Sequence, residues 1–175
     1  LADFAVAHGH LSTVIAAPGP LAPRLKACGV KHLAWPVGRK RLSTLSYIRR
    51  LRDWIGRERP DVVHAHSRLP AWISRLALRG RAEGRRPATV TSMHGHYSVS
   101  RYSAVMASGE RVIAVSKRIR DYTLHNYGHV DPARVVTVHG GISRQVFPYG
   151  YRPPERWFRE TFREFPELEG RRLIC

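Results

Sequence analysis

Residues 61–80 read DVVHAHSRLPAWISRLALRG, and this stretch decides the fold. Its first six residues form a short β-branched run, the signature of a strand. After Pro70 the apolar residues recur at helical spacing until Gly80 ends the pattern. The same alternation extends outward in both directions. Strands are predicted at residues 11–17 (LSTVIAA), 31–35, 88–93 (ATVTSM), 111–115 (RVIAV), 134–139 (RVVTVH) and 171–175. Between residues 42 and 57, Leu42, Leu45, Ile48, Leu51 and Ile55 mark one helical face, Arg49, Arg50 and Arg52 lie on others, and Pro60 stops the run. A further helix starts at Ser116 as N-cap and stops at Gly128. The last follows Pro153 and Pro154, with Trp157, Phe158, Thr161, Phe162 and Phe165 along one stripe. Strands separated by helix-length segments imply βαβ units and parallel pairing, an α/β, Rossmann-like doubly wound sheet. The apolar starts of DVVHAH and RVVTVH suit strands covered by helices on both faces.

A chain of 175 residues suffices for one domain with a real core. LADFAVAHGH reads as a helix already under way and RRLIC as a strand just starting, so both ends are expected to be cuts through a longer protein. Cys28 and Cys175 have no metal-ligand spacing and are expected as reduced thiols. No apolar run reaches the ~18 residues that a membrane span needs, and a cytoplasmic location is expected. The net charge of +17, carried almost wholly by arginine, points to an anionic partner. A GC-rich coding sequence would also enrich arginine, so charge does not name that partner.

In an open parallel sheet, ligands bind beyond the carboxyl ends of the strands. Four such ends carry polar or glycine-rich turns: Ser67-Arg68, His94-Gly95-His96-Tyr97, Ser116-Lys117-Arg118 and His139-Gly140-Gly141. Glycine allows close backbone approach. A helix opened by Ser116 and Lys117 offers free N–H groups and positive charge to a phosphate. Ser116 is also a capping serine and Gly140-Gly141 also a turn, while His64 reads as a packed strand residue. His94, beside Gly95, is the foremost functional candidate. Together these groups suit a polyhydroxylated, phosphate-bearing ligand.

The segments DVVHAHSRLPAW, PATVTSMHGHYS, ERVIAVSKRIRDYTLHNYG and DPARVVTVHGGISRQVF resemble, in order and spacing, the N-terminal domain of retaining GT-B glycosyltransferases of family 4. That family includes enzymes of lipopolysaccharide and surface-glycan assembly. The resemblance implies residues 1–150 as the acceptor-side domain without its first strand, and residues 151–175 as the linker helix and first strand of a donor domain. It implies a nucleotide-diphosphate sugar as co-substrate with no further cofactor and no metal, and a glycan or lipid-linked acceptor. His94 is the expected catalytic residue near the donor sugar. The expected substrate-binding set is Ser67, Arg68, Gly95, His96, Tyr97, Ser116, Lys117, Gly140 and Gly141. Arg68 would hold an anionic acceptor group through its planar fork. The helix of residues 42–57 would meet an anionic membrane surface at the inner face of the cell membrane. The glycine-rich turn after the family's first strand, and its donor-side motifs, do not occur in the chain, so this polypeptide alone is expected to be inactive.

Two other readings compete. His64-x-His66 and His94-x-His96 at two strand ends could build the metal centre of an amidohydrolase. That fold requires eight strands and a later acidic ligand, and no such carboxylate follows RVIAV or RVVTV. A polyanion or nucleic-acid binding domain would explain the charge, yet no helix-turn-helix, zinc-finger or RNP pattern occurs, so no specific nucleic acid is expected. No G-x-G-x-x-G follows a strand, which argues against a dinucleotide dehydrogenase.

Overall fold

The computed structural model describes residues 1–175 except 83, 85, 143, 145–147 and 173–175. The predicted strand at 171–175, with Cys175, falls largely outside the described residues. The chain forms two compact units, Leu1–His139 and Gly140–Cys175.

The first unit alternates helices and strands: α1 (Ala2–Ala7), β1 (Thr13–Ala16), α2 (Ala22–Ala27), β2 (Lys31–Ala34), α3 (Ser46–Glu58), β3 (Val62–Ala65), α4 (Arg68–Leu78), β4 (Ala88–Met93), β5 (Arg111–Ala114), α5 (Lys117–Asn126) and β6 (Val135–Thr137). All pairing is parallel. β1 pairs β2, with Thr13 opposite Lys31, and β3-β4-β5-β6 form a second sheet in that order. Among the described residues, no strand pairs with the outer edges of β1 and β3. Those two strands face one cleft of about 450 Å³.

The helices end where local chemistry dictates. α3 stops at Arg59, which adopts a left-handed φ of 48° immediately before Pro60. The Ser116 hydroxyl accepts the Ile119 amide at 3.2 Å and caps α5 as the sequence predicts. α4 starts at Arg68, before the predicted start, because Pro70 fits the first turn, where no amide donor is needed. A 3₁₀ segment, Ser103–Ala107, was not foreseen; it supplies buried Val105 and Met106 to the core.

Two apolar clusters hold the unit together. One unites Ala65, Met93, Met106, Val112, Ala114 and Ile119 beneath α5 and the 3₁₀ segment. The other uses the inward stripe of α3 (Leu51, Trp54 and Ile55) against Ile73 and Ala77 of α4, with Ile15 of β1 and Val63 of β3 packed on it. Burying Ile55, 1% exposed, contributes about 2 kcal/mol. Because Ile15 and Val63 share this cluster, α3 and α4 bridge the two sheets. Gly109 is required for close approach: a Cβ there would lie 2.7 Å from the Arg111 carbonyl.

The expectation that both faces of DVVHAH and RVVTVH are covered is corrected at particular positions. Val62 is 53% exposed, Val136 45% and Val138 50%. β3 and β6 are the two edges of their sheet, so their outward residues lack a neighbouring strand and the helices cover them incompletely. Two of the arginines expected on the open faces of α3 have intramolecular partners. Arg52 donates to the Ala77 and Leu76 carbonyls at the end of α4, at 3.2 and 3.0 Å. The Arg50 guanidinium lies 4.7 Å from the centre of the Trp35 ring.

The second unit contains α6 (Glu155–Glu164), entered through Pro154 as predicted. Trp157 meets Phe158 edge-on at 5.1 Å and Phe158 lies 6.0 Å from Phe162, so part of the predicted aromatic stripe forms a continuous row.

Candidate functional site

The carboxyl ends of β3, β4 and β5 adjoin in the sheet, and the turns that follow them meet. Alternation along DVVHAH puts His64 and His66 on one face, with ring centres 4.1 Å apart. His66 also stacks on His94, centres 5.5 Å apart, and His66 Nδ1 lies 3.3 Å from His94 Nε2. One ring donates and the other accepts, so both cannot be imidazolium while that bond stands. The bond engages Nε2 of His94, and the residue is exposed. His64 lies deeper: its Nε2 is 2.7 Å from the Ser92 hydroxyl. Burial, then the charges of His66 and His94, lowers the His64 pKa to about 4. Burial against these rings, then the charge of His94, also lowers that of His66.

Arg68, the first residue of α4, is half-buried. Its guanidinium lies 5.1 Å from the Tyr97 ring and 5.4 Å from the Tyr102 ring, and donates to the Ser103 hydroxyl at 3.3 Å. It therefore fastens the turn after β4 to α4, a position that sequence spacing did not reveal. His96 points elsewhere, edge-on to Tyr122 of α5 at 4.6 Å, while the Tyr122 hydroxyl donates to the Tyr97 carbonyl. α5 is thereby tied to the same turn. Ser67 and Lys117 are exposed at the starts of α4 and α5, and Gly95 is half-buried between the two histidines.

Ser67, Arg68, His94, Gly95, His96, Tyr97, Ser116 and Lys117 thus stand on three adjoining strand ends. Gly140 and Gly141 are exposed and belong to the second unit. The four-histidine set of the metal reading is divided, since His96 packs on Tyr122 while His64, His66 and His94 stack. Among the described residues, no three His, Cys, Asp or Glu side chains are grouped to hold a metal. The partnership of His66 with His94 was missed at the sequence level. Its signal was the His-x-His alternation, which addresses both imidazoles to the same rim. The cleft between β1 and β3 reaches this rim at His66 and Ser67 and is lined by Val14, Leu51, Trp54 and Ile73. Its volume lies within the range of small-molecule sites.

Parallel strands delivering imidazoles, hydroxyls and a capped basic helix start to one rim define a Rossmann-like α/β unit. The pattern of Glycosyltransferase Family 4 matches residues 1–146, and the chain belongs to that family. A glycosyltransferase from Rickettsia africae ESF-5, known from its crystal structure, has the same fold: the TM-score is 0.71 at 24% identity over 94% of this chain. The fold is that of the N-terminal half of a GT-B enzyme. This chain spans 44% of the length of that protein. No curated protein matches the sequence.

Proposed function

We propose that the chain is the acceptor-side half of a retaining glycosyltransferase that moves a sugar, such as a hexose, from a nucleotide-diphosphate donor to a glycan or lipid-linked acceptor in lipopolysaccharide or surface-glycan assembly. Residues 1–150 would form that half and residues 151–175 would lead into the donor half. The observation that carries the reading is family membership joined to the position of His94, exposed at the end of the central strand β4 with His66 bonded to Nε2. In transfer, the bond from the anomeric carbon to the diphosphate oxygen breaks and a bond to an acceptor hydroxyl oxygen forms. The hydroxyl proton leaves toward the released diphosphate. His94 Nδ1 would address the sugar near the reacting carbon, and Ser116 and Lys117 the phosphate oxygens. Ser67, with Arg68 behind it, would shape the acceptor side. Gly95, His96 and Tyr97 would line the turn, and Gly140 and Gly141, in the second unit, would also contact substrate.

No described helix is long and apolar enough to cross a membrane. Arg49 and Arg57, exposed on α3, support peripheral contact with anionic lipid on the cytoplasmic side. The test is His94→Ala in a polypeptide carrying the donor half. Turnover of nucleotide sugar should fall at least about a hundredfold, while unfolding free energy stays within about 1 kcal/mol of the parent. Unchanged turnover, or loss of folding, would remove His94 from the reaction.

A further inference from the structure

A second cavity, larger than the cleft between β1 and β3, lies away from the histidine rim. It occupies about 820 Å³ beneath α4, with Thr89 and Thr91 of β4 on its floor and the segments preceding β5 and β6 on its walls. These are the amino ends of the strands. His94 follows the other end of β4, about 10 Å beyond Thr91 at ~3.3 Å per residue.

Five arginines and a histidine line it: Arg75, Arg79, Arg81, Arg86, Arg134 and His129. Two are held in place by backbone. Arg81 donates to the Arg52 carbonyl at 2.6 Å, and Arg134 to the Gly109 carbonyl. Arg81 also keeps a buried Nε–H with no acceptor. Arg75 lies over the Trp72 ring at 5.6 Å. Arg79 and Arg86 are exposed. Among the described residues the lining contains no carboxylate, and no ion pair involves any of these arginines; the Glu110 carboxylate accepts from the Thr89 hydroxyl of the floor at 3.2 Å.

Arg75 and Arg79 also offset the negative end of the α4 dipole, but that role accounts for neither Arg86 nor the presence of Arg81 and Arg134, from other segments, on the same lining. Five guanidinium groups from several segments around one cavity give it a positive potential that favours an anion. Their planar forks match phosphate oxygens. A single phosphate would leave most of the cavity and most of these donors unused. We infer that this cavity binds a ligand bearing two or more linked phosphate groups, at a site separate from the sugar-transfer rim.

Calorimetric titration of the chain with inorganic pyrophosphate at fixed ionic strength tests it. The expected result is one site of micromolar order, weakened at least about tenfold in the Arg79→Gln, Arg86→Gln pair. The Arg39→Gln, Arg41→Gln pair removes the same charge from the exposed segment before α3 and should bind as the parent does. All four residues are exposed, and circular dichroism would check that both variants remain folded. Absence of binding in the parent, or equal weakening by both pairs, would overturn the assignment. Equal weakening would reduce the effect to general attraction between a +17 protein and any polyanion.

Discussion

His64 lies half-buried with Ser92 as its partner, and protonating it costs the folded chain more than the unfolded one. Its pKa falls from the ordinary histidine value of about 6.5 to about 4, so the folded state favours the neutral ring. That preference supports folding fully above pH ~6.5 and is lost as pH drops toward 4. His66 acts in the same direction. Urea unfolding followed from pH 7 to pH 4 should therefore show a decline that is shallower in His64→Gln, whose amide can bond Ser92 but cannot ionise. Equal slopes would mean that this ring does not govern acid sensitivity. The residues also show what a sequence can reveal at this scale. His94 stands out as a candidate in the sequence because a histidine followed by glycine after a strand is rarely needed for packing, and the residue is exposed. Arg68 was read as a ligand-facing fork, and its location between two tyrosines and Ser103 depended on a segment with no periodicity to read.

Among elements, α5 shows local chemistry setting a boundary, since Ser116 satisfies an amide that helix geometry leaves open. Replacing it with alanine should lower unfolding free energy by about 1 kcal/mol, measured by urea titration; no change would mean that water serves the Ile119 amide as well. The same serine stands at the proposed phosphate-binding end, so Ser116→Asp, which keeps a cap acceptor but repels phosphate, separates the two roles. Strand positions were legible because their β-branched runs are bounded by polar turns, and the observed strands fall inside the predicted windows wherever the residues are described. The 3₁₀ segment Ser103–Ala107 was not legible. Its SAVMA sequence alternates neither as a strand nor as a helix, and only the tertiary packing of Val105 and Met106 makes it an element.

At the scale of the molecule, the proposed acceptor half has a specific binding consequence. Titrated with nucleotide sugars, this chain should show no sub-micromolar affinity, because the donor nucleotide would be held chiefly by the other half; a tighter complex would contradict that division of labour. The parallel topology was readable from the alternation of periods, since only crossover connections allow strands and helices to take turns in this way. The break between the sheets was not, because pairing partners of β1 and β3 are chosen in three dimensions.

That break has a practical outcome. The unpaired borders of β1 (TVIA) and β3 (VVHA), on either side of one cleft, contain no lysine or proline to discourage contact with an added strand. Two copies brought close in a concentrated solution would find matching templates in each other. Self-association by strand addition would grow with concentration, and an added apolar peptide able to cap either border would suppress it.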